Sequence, residues 1–166
     1  MHELISLVAL RNLSAPQLSA GPLGRTEINR NNVDNKIRWL RISYWTGAVI
    51  DALAAVQMLS PKIFAITNNL NNFQPKAEYC YAMGMGASLM IGWTVLLLWA
   101  DRKPLERKGV LLITIVPVIL GLILNEIVGV NSQFIFIGTI LPIWIFQAIL
   151  ILLFGFSYFN AKGVGE

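Results

Sequence analysis

The chain has 166 residues, of which 55% are hydrophobic and 13% charged, against about 25% charged in a soluble domain. Glycine takes 13 positions, proline 7 and cysteine one, so collagen-like, disordered and disulfide-rich classes are excluded. A mean hydropathy of +0.61 points to lipid as the solvent. The net charge of +4 is distributed in a way that reports membrane topology rather than nucleic-acid binding.

Residues 1–40 read as a polar, flexible, basic N-terminal arm, with Pro16, Gly21, Pro22 and Gly24 interrupting any regular pattern. The apolar stretch at 4–10 is short and has no Lys or Arg before it, so it makes a poor signal peptide and suits a brief amphipathic turn on a membrane surface. His2 is the one histidine, which leaves no second imidazole for a metal site and no histidine for acid–base chemistry in the membrane.

Four apolar stretches then follow, over about 42–65, 79–100, 109–130 and 133–159. Each is long enough to cross roughly 30 Å of hydrocarbon at about 1.5 Å per residue. Residues 41–166 are therefore predicted to form an all-α, integral membrane four-helix bundle. A soluble bundle would expose very large apolar faces. A β-barrel would need strict alternation, which the run Val118, Ile119, Leu120 lacks. Pro117 and Pro142 are expected to kink the third and fourth spans.

Eleven of the 13 Lys and Arg share one predicted side: Arg11, Arg25, Arg30, Lys36, Arg38 and Arg41 before the first span, Arg102, Lys103, Arg107 and Lys108 in the second connection, and Lys162 in the tail. Only Lys62 and Lys76 lie on the other side. Positive residues are retained in the cytoplasm, so both termini are predicted to be cytoplasmic in a multi-pass protein of the cell membrane. Trp39, Tyr44, Trp45, Trp99 and Tyr158 fit one interface, and Tyr79 and Tyr81 the other. The first connection, rich in Asn68, Asn69, Asn71 and Asn72 between Pro61 and Pro75, reads as a structured cap or a short re-entrant helix.

Asp51 is the most informative residue, about 10 residues or roughly 15 Å beyond Arg41 and so near the bilayer centre. Its face of the helix is shared with Tyr44, Gly47, Ala55 and Met58. An acid placed there faces the bundle interior and requires a partner. Glu126, Asn125 and Gln147 supply further polar groups for a ligand or proton site, although Asp51 and Glu126 differ by roughly 9 Å in depth, too far for direct pairing. Gly84, Ser88 and Gly92 form a small-residue stripe suited to helix packing, against Gly47, Ala48 and Ala52 of the first span or against a second protomer. Cys80 reads as a small buried hydrophobe. Trp93 and Trp144 read as packing or lipid-facing residues.

The stretch Y-A-M-G-M-G-A-S-L-M-I-G-W-T from Tyr81, with W-A-D-R-K-P-L-E-R-K-G ending at Gly109, resembles a pattern in small uncharacterised prokaryotic four-span membrane proteins, over about a third of the chain. That resemblance implies an integral membrane fold and brings no activity and no catalytic residue. Nucleotide-binding glycine loops, metal-ligand clusters and Ser/His/Asp arrangements are missing from the sequence, and no cofactor is expected.

The expected function is a polar intramembrane site, centred on Asp51, that binds or transports a small molecule, lipid or cation. The alternative is an accessory or assembly subunit without chemistry of its own. An enzyme acting on lipid ranks third. The expected partners are the lipid bilayer and a homo-oligomer or membrane-protein partner, with no nucleic acid.

Overall fold

A computed structural model describes residues 22–70, 72–133 and 136–163. Their secondary structure is entirely helical: α1 Pro22–Leu59, α2 Pro61–Thr67, α3 Ala77–Asp101, α4 Gly109–Ile113, α5 Leu120–Asn131 and α6 Ile137–Ala161, with a π-helical turn Thr114–Ile119 joining α4 to α5. Four segments are long and apolar enough to cross a bilayer: Arg30–Leu59, Ala77–Asp101, Gly109–Asn131 and Ile137–Ala161. The chain divides into two units, Met1–Val33 and Asp34–Glu166. In the first, the described residues 22–33 are helical, so the stretch expected to be an irregular arm is helix from Pro22 onward. His2 and the apolar stretch at 4–10 lie outside the described residues.

The spans bury one stripe each and present the remainder to lipid. On α1 the buried positions are Leu40, Ser43, Tyr44, Gly47, Ala48, Asp51 and Ala55, steps of three and four that trace one helical face. Trp39, Ile42, Trp45, Val49, Leu53 and Val56 point outward. The α6 stripe, Ile140, Gln147, Leu150, Phe154, Ser157 and Ala161, follows the same rule. Water would penalise so much exposed apolar surface, whereas lipid does not.

Of the two partners expected for the Gly84, Ser88 and Gly92 stripe, the first span does not meet it within the chain. Ala87, Leu97 and Ala100 are the buried residues of α3, and Gly86 lies against Met58 of α1. Ser88 is exposed, and a methyl group added at Gly84 or Gly92 would meet nothing within 4 Å. Gly47 faces Leu97 and Phe154 instead of the stripe. Cys80 is exposed, in the first turn of α3, and not buried as its residue type suggested.

The two prolines act differently. Pro117 has no N–H to give and its ring crowds the carbonyl a turn earlier, and the third span passes it as the π turn Thr114–Ile119. That turn absorbs one extra residue. The buried positions therefore step from Leu111 and Thr114 to Ile119, with Ile123 and Glu126 half-buried beyond. α6, by contrast, continues unbroken through Pro142, which lies in its second turn, where few helical hydrogen bonds precede it.

The first span ends earlier than the hydropathy suggested. Ser60 stops α1 at Leu59 and caps α2, its hydroxyl accepting from the Ile63 N–H at 3.4 Å, with Pro61 in the first helical position. Phe64, Phe73 and Tyr79 form an aromatic cluster with ring centroids 5.1 to 5.7 Å apart, tying this short helix to the start of α3. Asn69 and Asn72 have φ of 54° and 59°, a left-handed conformation that asparagine tolerates better than most residues. The asparagine-rich composition is thus at least partly turn chemistry.

Packing is tightest at the opposite end, around the Asp101–Lys108 connection. Leu40, Tyr44, Leu97, Ala100, Leu111 and Ala161 are fully buried there. The Tyr44 hydroxyl donates to the Arg107 carbonyl at 3.0 Å, with the Pro104 carbonyl at 3.4 Å. Asp101 accepts from the Trp45 indole at 3.3 Å and pairs with Arg41 at 3.4 Å. The Arg107 guanidinium lies over the Trp99 ring, 3.3 Å from its centroid, and donates to the Trp99 carbonyl. Ser157 donates to the Trp39 carbonyl at 3.2 Å, which makes Ser43 the donor in the 2.7 Å Ser43–Ser157 bond between α1 and α6.

Candidate functional site

At the other end the spans hold a cavity. α2 and α5 have no buried residue, and a cavity of about 400 Å³ lies between the helices, within the usual range for a small-molecule site. It runs from Gly47, Thr114 and Phe154 in the bundle to Thr67 and Asn68 beside the first connection. Asn68 also lines a second, more open cavity of about 640 Å³ with Asn69, Leu70, Val130 and Gln133.

Three of the four residues singled out as a site line this cavity: Asp51, Glu126 and Gln147. Asp51 is 8% exposed because it continues the stripe of Tyr44, Ala48 and Ala55. Its Oδ2 is buried and finds no donor among the described residues. Glu126 does not pair with it directly. Both Glu126 oxygens are held from α6, one by the Trp144 indole N–H at 2.9 Å and the other by the Gln147 amide at 2.8 Å. With its NH₂ directed at Glu126, the Gln147 side chain, 6% exposed, is left with a buried Oε1 that has no donor. Flipping that amide would set its oxygen against the Glu126 carboxylate, so the orientation is fixed by the neighbour.

Asn125 is exposed and is not part of the cavity wall. The π turn accounts for the difference between these neighbours. On an uninterrupted helix the face carrying Leu111, Thr114 and Val118 continues to Asn125, and the extra residue at Pro117 brings Glu126 round in its place.

Several wall residues were not singled out from the sequence. Thr114 donates to the Val110 carbonyl at 2.9 Å and accepts from the Trp93 indole at 3.2 Å, linking the second span to the third. Phe64, Phe146, Phe154, Val118, Leu122 and Ile140 make the wall mainly apolar. Trp144 had a readable signal, since it lies three residues before Gln147 and so on the same helix face. Phe64 and Asn68 had none, because a turn of helix beyond the span folds back only through the cap at Ser60.

Among the described residues no group of three or more His, Cys, Asp or Glu is placed to hold a metal ion. What the site offers is hydrogen-bond acceptors and acidic side chains in a low-dielectric chamber, where an unpaired polar atom is expensive. These features define a multi-pass helical membrane protein with polar residues buried among its spans. No protein-family model, curated protein or solved structure matches the chain.

Proposed function

We propose that this protein binds a small molecule or cation within the membrane, in the cavity between its spans, and that Asp51 anchors the ligand. The observation that carries this reading is the buried Asp51 Oδ2 without a donor, on the wall of a chamber large enough for about a dozen waters or a ligand of that size. A structural fastener of helices would be expected to find its partner on a neighbouring helix, as Glu126 does with Trp144 and Gln147. Asp51 lies on the cavity wall instead.

A cavity lined by Thr67 and Asn68 near the first connection, with hydrogen-bonded closure at the Asp101–Lys108 end, suits a carrier that opens toward the first connection. Translocation would require the Tyr44 contact with the Asp101–Lys108 connection to open. By the positive-inside rule that closed end is cytoplasmic, as are both termini, and the first connection faces outward.

The test places a thiol in the cavity as Val118→Cys in a Cys80→Ser background, in liposomes of defined orientation. A small water-soluble methanethiosulfonate reagent added on the first-connection side should modify it readily. Failure to react from that side, under conditions where unfolded protein reacts fully, would show a closed, dry interior and remove the basis for ligand binding.

A second reading, an assembly subunit, is favoured by the open Gly84, Ser88 and Gly92 face of α3, where another helix could approach closely. Stoichiometric membrane-protein partners on purification in mild detergent would support it.

A further inference from the structure

We propose that the outward-facing seam between α1 and α3, at the end of the bundle that carries the Asp101–Lys108 connection, binds an anionic phospholipid. Its phosphate rests on Arg38, Arg41 and Arg102, and its acyl chains lie along the apolar seam beyond them. This goes beyond the cavity reading and does not depend on it.

The seam is fixed by two contacts on one carboxylate. Asp101, at the end of α3, pairs with Arg41 at 3.4 Å and accepts from the Trp45 indole at 3.3 Å, so α1 and α3 lie side by side there. Helical spacing then places the neighbours. Arg41 and Trp45 follow Arg38 by three and seven residues and share a face of α1 with it. Leu98 and Arg102, four residues apart, share a face of α3, and Arg102 keeps helical dihedrals beside Asp101. All five of these residues are exposed. At about 1.5 Å per residue, Arg38 and Arg102 lie within about one helical turn of the Arg41–Asp101 pair in depth.

The charge at that level is unbalanced. Three arginines meet one carboxylate. The Asp101 side chain is only 15% exposed, whereas Arg41 gives it Nε and remains 58% exposed. Arg38 and Arg102 have no carboxylate partner among the described residues, and Asp34, also exposed, lies a further turn out along α1. Other cations of this end are engaged: Lys103 with Glu106, Arg107 with the Trp99 ring and carbonyl, and Lys108 with the last carbonyls of α6. A phosphate, with several oxygens, matches the guanidinium N–H groups left open on the seam.

The surface next to the arginines selects lipid as the source of that phosphate. One to three turns deeper the seam presents Trp45, Val49 and Leu98, all exposed and apolar. The Trp45 N–H is taken by Asp101, so its ring offers hydrocarbon contact and no donor. An inorganic phosphate would use the arginines and leave this surface uncovered. A phospholipid covers both, and anionic headgroups are drawn to Lys and Arg at this depth.

Native mass spectrometry reads the binding, on the full-length protein equilibrated in detergent with equimolar phosphatidylglycerol and phosphatidylcholine of identical chains. The unaltered protein should retain phosphatidylglycerol at least about fivefold over phosphatidylcholine. Arg38→Gln with Arg102→Gln should weaken phosphatidylglycerol by about 25-fold, about fivefold for each charge removed, and leave phosphatidylcholine unchanged. Lys36→Gln with Lys162→Gln removes the same charge from the same end but off the seam, since Lys36 lies one turn before Trp39, which packs on Phe156 of α6 at 5.5 Å. That pair should leave the preference intact.

Equal retention of the two lipids by the unaltered protein would overturn the proposal. So would equal losses from the arginine and lysine pairs, which would mark a diffuse positive surface, or displacement of the lipid by an excess of inorganic phosphate, which would mark a site for the free anion. If the arginine pair does not fold, Arg102→Gln alone decides, at an exposed position just past α3: a loss of about fivefold supports the site and no loss overturns it.

Discussion

Moving the acid one residue along the third span tests how Glu126 reaches the cavity. In an α-helix each residue advances about 100° around the axis, and the π turn at Thr114–Ile119 absorbs one residue. If Pro117→Ala lets that turn relax to α-helix, everything beyond rotates by about that angle. Asn125 then takes the inward position and Glu126 leaves Trp144 and Gln147. The two hydrogen bonds lost, of 2.9 and 2.8 Å, are worth about 0.6 kcal/mol each on average for polar pairs in a membrane protein and about 1.7 at most. Together they amount to about 1–3 kcal/mol.

The swap Asn125→Glu with Glu126→Asn should therefore destabilise the parent protein by about 1–3 kcal/mol and stabilise the Pro117→Ala protein by a similar amount. Reversible unfolding in mixed micelles with rising SDS measures both, and about 1.4 kcal/mol is a tenfold change in the equilibrium constant. The reversal of sign is the diagnostic, because it cancels the general benefit of removing a proline from a helix. A swap that destabilises both backgrounds equally would refute the link between the π turn and the orientation of Glu126.

Other consequences are open to measurement. Ser43→Ala removes the 2.7 Å bond to Ser157 and should lower stability in the same micelle assay by about 0.6 and at most about 1.7 kcal/mol, whereas a change near zero would mean the bond contributes nothing net. A methyl group at Gly47 would sit 3.0 Å from Leu97 and 3.2 Å from Phe154, so Gly47→Ala should destabilise by about 1–3 kcal/mol. Gly92→Ala, which meets nothing within 4 Å, should be neutral in an isolated protomer, and a clear loss of oligomer or partner on cross-linking would show that a helix docks there. Cys80, exposed in the first turn of α3, should react with a membrane-impermeant maleimide in intact cells. Reaction only after the membrane is opened would contradict the proposed orientation.

Much of the fold was legible because lipid imposes simple rules. The four spans follow from apolar length, and the buried face of α1 follows from helical spacing, which puts Asp51 in line with Tyr44 and Ala55 before any contact is known. The connection between the first two spans was legible as turn-rich, through Pro61, Pro75 and the asparagines, but not whether it is a cap or a re-entrant helix. Span ends were less legible, since hydropathy carries on through Pro61 while the Ser60 cap stops the helix at Leu59.

The site was legible in its residue types and less so in its orientations. Asn125 and Glu126 are adjacent in sequence, and which one faces inward depends on a register shift of one residue at Pro117, which hydropathy does not report. The inward face of the second span was ambiguous for a related reason: Gly84, Ser88 and Gly92 make one smooth stripe and Gly86 and Ala87 another, and Met58 of α1 meets the latter. Cys80 defied its usual preference because the first turn of α3 lies against the connection, with its sulfur on the exposed side.

The most direct measurement is an experimental structure in lipid nanodiscs at a resolution that shows ordered water and ligand around Asp51. The expected result is non-protein density beside the Asp51 side chain, inside the chamber that Thr67, Asn68 and Gln147 also line. Helices closed upon one another, with Asp51 paired to a protein donor and no space beside it, would contradict the assignment of a ligand site.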